Sequence, residues 1–437
     1  MIKLYDSKTK KMVTLNENDI SMYNCGPTVY NHIHIGNARP LVTFDVLYRL
    51  LIHFKKNVTY VLNITDIDDK IINNAIQNNV PELELSNYYT EQYFLIKKKL
   101  NTLPMINPKV SENIDGIIEY IEKIVSSGYG YYIEGNDVYF DTSKIKTYGS
   151  VSNQNMDALF ADVRIKNNES KQNPHDFVLW KRTEHGLQWA TKWFKGRPGW
   201  HTECAYLINK LIGHQATIHG GGMDLKFPHH ENENAQNQAL FNCDIAKVWL
   251  HIAMINIDNE KMSKSLNNFI LVKDILEKYS YQALRWFFYQ SNYSNPLNYS
   301  DQIMEQMENE VLKFKKTIND AKTLLVLNNQ DFSLKNEQVN NDVIEYLSDN
   351  LNLINAITVL YDLNKKLNIL IRQKDLNSVE IKLAELINSL KILGIEFENL
   401  HNDENITLLK EWDKLVKLKE FTKSDFLRKK LIEKGLL

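Results

Sequence analysis

Two strand-to-helix passages close to the start of the chain restrict its fold more than any other feature. The segment DISMYNCG, residues 19–26, is short and apolar enough for a strand. NHIHIGNARPLVTFDVLYRLLIHF, residues 31–54, follows it and places Val42, Phe44, Val46, Leu47, Leu50, Leu51 and Phe54 on one helical face, with Pro40 suited to the first turn. In the next stretch, KNVTYVLNITDIDDKIINNAI, residues 56–76, Val58, Tyr60 and Leu62 alternate on one face of a second strand. Thr65 is then placed to cap a second helix carrying Asp66, Asp68 and Asp69 in its first turn, where three acids are adequately explained by the helix dipole. Strand, glycine-bearing loop and helix start is the way α/β folds present backbone amides to a phosphate. His32, His34 and Gly36 lie in that loop, although a His-x-His there also suits a turn with one buried imidazole.

Bulk properties narrow the class. A chain of 437 residues, 43% apolar and 24% charged, can bury two or three cores, so several domains are expected. The net charge of −2 and pI near 6.7 leave nucleic-acid binding to local patches. MIKLYDSKTKKMV lacks the apolar core of a signal peptide, and no run approaches the roughly 18 apolar residues of a membrane span, so the cytoplasm is the expected location. Cys25, Cys204 and Cys243 stand far apart, which suits neither a disulfide framework nor a CxxC ribbon.

PHHENENAQ, residues 228–236, crowds two histidines and two glutamates together. With Pro228 near a helix start, His229 and Glu233 share one face four residues apart, half of a metal site. Zinc would ask for soft partners. Cys25 in MYNCGPTVYN and Cys204 in RPGWHTECAYL both sit among glycine, proline and aromatic residues typical of loops at strand ends. A lone cysteine is more often a small buried hydrophobe, the reading kept for Cys243. In DNEKMSKSLNNF, Lys261 and Lys264 stand three apart, as in a loop that brings ammonium groups to a pyrophosphate, although a charge run by itself is ordinarily a solvated face.

HIGN at 34–37 and KMSKS at 261–265 together resemble the two signatures of class I aminoacyl-tRNA synthetases. CGPTVYNHIHIGNARP, NITDIDDKII, DFVLWK, GRPGWHTEC, IHGGGMDLKFPHHENE and KMSKSLNNF resemble, in order, the blocks of the cysteinyl-tRNA synthetase family, from about residue 20 to residue 300 and more loosely beyond. The resemblance implies an α/β Rossmann-type parallel sheet with a connective insertion, followed by an all-α helical bundle. It implies one zinc ion held by Cys25, Cys204, His229 and Glu233, with His230 and Cys243 outside the ligand set.

The implied substrates are L-cysteine, ATP with Mg2+, and tRNA(Cys), used by a monomer without a membrane partner. Cysteine and serine differ by one atom, and a pocket that merely fits a side chain separates similar substrates by only ~1–3 kcal/mol. A thiolate on zinc separates them by chemistry instead. In the implied site His32, His34, Gly36 and the loop amides face the ATP phosphates, Asn37 lies at the adenosine side, and Gly220, Gly221 and Gly222 allow close backbone approach. Lys264 draws on the pyrophosphate and Lys261 assists it. Trp200 closes over the amino acid, unless it is a plain core residue, while Gly26, Thr65, His219 and Asp224 complete that pocket. Asn37 replaces a histidine common in the family and cannot carry charge.

The expected layout is a first Rossmann half at 1–112, a connective insertion at 113–200, a second half at 201–258, the KMSKS loop and linking region at 259–305, and a helical tRNA-binding domain at 306–437. The insertion reads as a helix with the stripe Ile114, Ile117, Ile118, Ile121 and Ile124, then a hairpin turning at Gly135 and Asn136. In the linking region NYSNPL, residues 292–297, lacks an arginine that the family often has. After residue 408 basic residues outnumber acidic ones nine to five with Trp412 and Phe421 interleaved, which fits an RNA-facing end and also a solvated amphipathic helix. Members of the family usually continue past a segment like SDFLRKKLIEKGLL into a short strand-bearing tail, and this sequence stops at Leu437. Two rival readings are a ligase joining cysteine to an amino sugar through the same adenylate, and a catalytically silent zinc- or RNA-binding paralogue.

Overall fold

The structure, a computed structural model, describes residues 1–154, 171–261, 269–330 and 338–437. The first strand forms at Asp19–Asn24 and the second at Asn57–Leu62, and the helix between them carries the chain back so that the two lie parallel, from Asp19 beside Asn57 to Asn24 beside Leu62. Ala216–Gly222 pairs with the other edge of the first strand, and Ala246–Ile252 pairs with Ala216–Gly222, giving a four-stranded parallel sheet. The first and third strands in chain order are therefore neighbours at the sheet's centre. Their connections leave in opposite directions, and the crevice beyond their carboxyl ends is where open α/β sheets bind ligands.

The helix Ile35–His53 buries Val42, Phe44, Val46, Leu47, Leu50 and Leu51 as its pattern predicts. It begins five residues before Pro40, so Pro40 lies inside the helix and not in its first turn. The cap of the next helix, Asp69–Asn78, also differs from expectation. Asp68 caps it by accepting from the Lys70 amide, while Thr65 is fully buried and receives the Asn63 side-chain amide on its hydroxyl. Asp66 is likewise withdrawn from the helix and accepts from the Ser111 amide.

In the insertion, the helix Ile114–Ser126 buries Ile114, Ile117, Ile121 and Ile124 in one core with Ala205, Leu207 and Ile208 of the helix Trp200–Leu211. The hairpin forms from Gly130–Tyr132 and Val138–Phe140, with Gly135 at φ +79° in the turn. It is only the edge of a larger structure. Phe177–Arg182, Lys195–Pro198 and Trp189–Ala190 extend it to a five-stranded antiparallel sheet, so the expectation of one helix and one hairpin falls short. An N-terminal hairpin, Ile2–Asp6 with Lys11–Leu15, is a further element the sequence reading did not assign.

Met1–Ile275 with Tyr293–Asn298 form one compact unit. Leu276–Asn292 with Tyr299–Leu437 form the second, and its long elements are all helical, as expected: Asp301–Leu327, Leu353–Gln373, Leu376–Ile392, Asp403–Lys417 and Phe421–Glu433. The leucine periodicity becomes its core through Leu360, Leu367, Leu383, Leu386 and Leu390. Among the described residues no helix is long and apolar enough to cross a membrane.

Candidate active site

Cys25 directly follows the carboxyl end of the strand Asp19–Asn24, at the sheet's switch point. Cys204 lies in the second turn of the helix Trp200–Leu211, and His229 and Glu233 enter from the start of the helix Glu231–Phe241 and the turn before it. These three elements bring together ligand atoms that all lie within 4.8 Å of one another. Cys25 Sγ is 3.6 Å from Cys204 Sγ, 3.4 Å from His229 Nε2 and 3.4 Å from Glu233 Oε1. Atoms around a tetrahedral zinc, with bonds of about 2.0–2.3 Å, stand roughly 3.3–3.8 Å apart. The Cys25 contacts have those lengths, and His229 Nε2 is drawn in to 2.7 Å from Glu233 Oε1 by their own ion pair. Two thiols, an imidazole and a carboxylate, three of them almost wholly buried, form a donor set that suits zinc.

The surrounding groups orient this set. His201 Nδ1 lies 3.1 Å from His229 Nδ1, which engages that nitrogen and leaves Nε2 toward Cys25. His219 sits 3.0 Å from the Tyr23 carbonyl through Nδ1 and 2.5 Å from Glu233 Oε2 through Nε2. A carbonyl can only accept, so Nδ1 is the nitrogen that donates to Tyr23, and Nε2 faces the carboxylate. Burial alone would raise the Glu233 carboxyl, yet His229 and His219 hold it well below the ordinary range. Burial opposes charge on His229, but Glu233 and Cys204 outweigh it and push the imidazole up to about 10. Burial and its neighbour Cys204 raise Cys25, whereas the hydrogen bond from Cys25 prevails over burial at Cys204 and brings it down to about 6. Metal uptake at such a cluster displaces protons.

A second group, Cys25, His219, His230 and Glu233, is also close enough to hold an ion. Two of its imidazoles are already engaged: His219 as above, and His230 through Nδ1 to His251 Nε2 at 2.8 Å. The first group alone offers two thiols, the softer donor set that zinc favours. Cys243 joins neither group and is held by the Asn237 side chain and the His214 carbonyl.

An open cleft of about 240 Å³ runs from this cluster along the sheet's crevice. Of the residues expected at the site, Cys25, Gly26, His32, His34, Gly36, Asn37, Trp200, Gly222 and Asp224 line it. Trp200 is 36% exposed and stacks on the His229 ring with centroids 4.1 Å apart, so it is no core residue. Thr65, His219, Gly220 and Gly221 lie behind the cleft wall, all buried. A side chain at Gly220 would meet the Leu250 carbonyl at 1.8 Å, so this glycine answers to the neighbouring strand.

His34 stands at the N-cap of its helix, where the Asn37 side chain accepts the His34 amide at 3.2 Å. Burial lowers the His34 imidazole to about 4, so it is neutral at ordinary pH, and its buried Nδ1 has no partner among the described residues. Lys261 ends the strand Glu260–Lys261; its side chain, and all of Lys264, lie outside the described residues. The chain that follows them is described and returns to the HIGN loop. The Ile35 amide donates to Ile270 O at 2.9 Å and the Val272 amide to Ile33 O at 3.0 Å, with Phe269 packed on the His34 ring. Backbone pairing thus ties residues 270–272, downstream of the second motif, to the HIGN segment.

A family model for the catalytic domain of class I (C) tRNA synthetases matches residues 11–309. The chain is 54% identical to the cysteine–tRNA ligase of Ureaplasma parvum, with all of both chains aligned. It is 49% identical to that of Malacoplasma penetrans, again over all of both, and 44% identical to that of Mycoplasma genitalium over 99% of this chain and all of the relative. The chain belongs to the cysteine–tRNA ligase family. In fold it is similar to the methionyl-tRNA synthetase of Mycobacterium tuberculosis in complex with methionyl-adenylate, at a TM-score of 0.60 and 13% identity over 90% of each chain. The resemblance drawn from the motif blocks and the class I fold expected from it are thereby borne out.

Sequence reading missed several residues that shape this ligase's site. Asn63, His201 and Lys70 are examples: the first two are packed behind the cluster, and Lys70 lines the cleft. No periodicity or spacing could reveal Asn63, whose partners Gly26 and Cys204 lie 37 and 141 residues away.

Proposed function

We infer that the chain uses ATP to activate L-cysteine as its adenylate and then transfers cysteine to the 3′ end of tRNA(Cys). The observation that carries this is the alignment with cysteine–tRNA ligases over the whole chain. The thiol-bearing cluster opening at Cys25 onto the cleft beside HIGN supports it. Zinc, held by Cys25, Cys204, His229 and Glu233, would supply a centre that accepts the substrate's sulfur as thiolate and passes over serine's hard alcohol. Around it, His219 fixes Glu233 through the second carboxylate oxygen, and His201 sets the ring of His229. Trp200 is the movable wall of the amino-acid pocket, with Gly26 beneath it and Asp224 toward the substrate's ammonium group. Thr65 and His219 act from behind that wall.

The substrate carboxylate is already a competent nucleophile, so the residues' work is positioning and charge stabilisation. Neutral His34, its loop amides, His32 and Gly36 receive the phosphates of MgATP; Asn37 and the Gly220–Gly222 end of the strand take the adenosine side; Lys264, assisted by Lys261, stabilises the departing pyrophosphate. The segment 113–200 guides the tRNA acceptor end and 306–437 the tRNA body, in a cytoplasmic, monomeric enzyme. Cysteine-dependent ATP–pyrophosphate exchange together with charging of tRNA(Cys) tests the reading, and exchange without charging would point to an amino-sugar acceptor instead. For the metal, purified protein is expected to hold one zinc per chain and Cys204→Ser much less. Undiminished zinc in Cys204→Ser would sink the ligand assignment.

A further inference from the structure

Asn63 lies just past the strand Asn57–Leu62 and is wholly buried, yet its side chain reaches three separate parts of the site. Its Oδ1 accepts the Gly26 amide at 2.9 Å, which belongs to the peptide immediately after Cys25. The same oxygen stands 3.6 Å from Cys204 Sγ, and Nδ2 donates to the Thr65 hydroxyl at 3.1 Å. Two partners of opposite kind fix the amide's orientation: Gly26 can only donate to it, and Thr65 is held as the acceptor. The backbone of Asn63 is equally close, since a side chain at Gly26 would fall 1.6 Å from its carbonyl oxygen. The Pro27–Thr65 and Val29–Thr65 backbone bonds, at 3.3 and 3.1 Å, close the seam on the far side.

We propose that Asn63 is a positioning residue that sets the separation of Cys25 and Cys204 and thereby tunes metal affinity and the cysteine pocket. This rests on the metal reading above. Without the amide, the peptide after Cys25 loses its only side-chain anchor among the described residues, and nothing polar stands between it and Cys204. Groups that orient metal ligands typically contribute about 10–100-fold in affinity, because they hold the donor where the ion needs it.

The test measures zinc affinity by chelator competition in the full chain, first for the wild type, then for Asn63→Ala and Thr65→Val, with thermal melting as a check on folding. Asn63→Ala is expected to bind zinc about 10–100-fold more weakly and to raise the KM for cysteine more than the KM for ATP. Thr65→Val frees only the Nδ2 end of the amide and is expected to weaken zinc in the same direction by about threefold to tenfold. A folded Asn63→Ala whose zinc affinity stays within about threefold of the wild type overturns the proposal. Should Asn63→Ala not fold, Thr65→Val decides: a loss supports the proposal and an unchanged affinity overturns it. A wild-type protein unable to take up zinc would overturn the metal reading itself, and this proposal with it.

Discussion

Glu231→Gln probes the glutamate of the PHHENENAQ stretch that lies outside the proposed metal cluster. Glu231 opens its helix beside His230 and is 1% exposed, yet no cation is paired with it among the described residues. Its Oε1 accepts the Gly149 amide and its Oε2 the Ser152 amide, both at 2.8 Å, so the carboxylate clamps a turn of the insertion onto the helix that carries Glu233. Burial raises its pKa, and the amides of Ser152 and Gly149 counter that rise. Thr147 adds a bond to Gln238 at 2.7 Å on the same helix. A hydrogen bond to a charged group contributes about 1.5–3 kcal/mol, and a buried donor left unmade costs about 1–3 kcal/mol. Glutamine keeps one acceptor and turns an amide donor toward the other N–H, while relieving the buried charge. The net loss is therefore ~3 kcal/mol, roughly a 150-fold shift in the docking equilibrium of this turn. Hydrogen exchange on residues 147–152 should show that loss of protection, with the helix Glu231–Phe241 still protected and zinc content unchanged. Protection changed by less than about threefold would refute the clamp, and so would loss of protection throughout the fold.

Other outcomes follow from the same structure. Lys264→Ala should slow adenylate formation by ~2.7–4 kcal/mol, far more than it weakens cysteine binding, because the ammonium acts on charge that develops only in the transition state; a single-turnover rate reduced by less than about tenfold would mean Lys264 is misassigned. Serine should be rejected without editing by about 10⁴, which needs ~5.5 kcal/mol and exceeds what a shape-only pocket supplies; ATP consumed in futile cycles with serine and tRNA would contradict thiolate selection. Burial depresses His34 to about 4 and His251 to about 3, so both remain neutral in the folded state while the unfolded chain takes up protons below about 6.5. Their stabilisation is thus complete above about pH 6.5 and is lost as pH falls toward 4, by ~1.4 kcal/mol each at pH 5.5, so Tm should drop between pH 7 and 5.5; a flat Tm would show that they are not held neutral.

What the sequence determined by itself was short in range. Apolar spacing at 3.6 residues marked Ile35–His53, Ile114–Ser126 and the helices of the second unit, because one buried face is written into one segment. The i,i+4 pair of His229 and Glu233 was equally legible, since a helix start places both on one side. Local patterns misled where a tertiary partner outbid them. Thr65 suits a cap, yet Asn63 and an isolated β-bridge to Thr28 draw it into the interior and leave the cap to Asp68. Phe177–Arg182 buries Phe177, Leu179 and Trp180 without clean alternation, and only its neighbours in the antiparallel sheet make it a strand. The four-residue cluster spans Cys25 to Glu233, so no spacing could show that its atoms converge; the motif blocks implied the set, and the packing of a strand end against two helices brings the atoms together. The division of labour between Glu231 and Glu233, two residues apart, was likewise decided by tertiary structure: helical rotation turns one carboxylate to the cysteines and the other to an amide pair in the insertion, a distinction that exists only once those partners are in place.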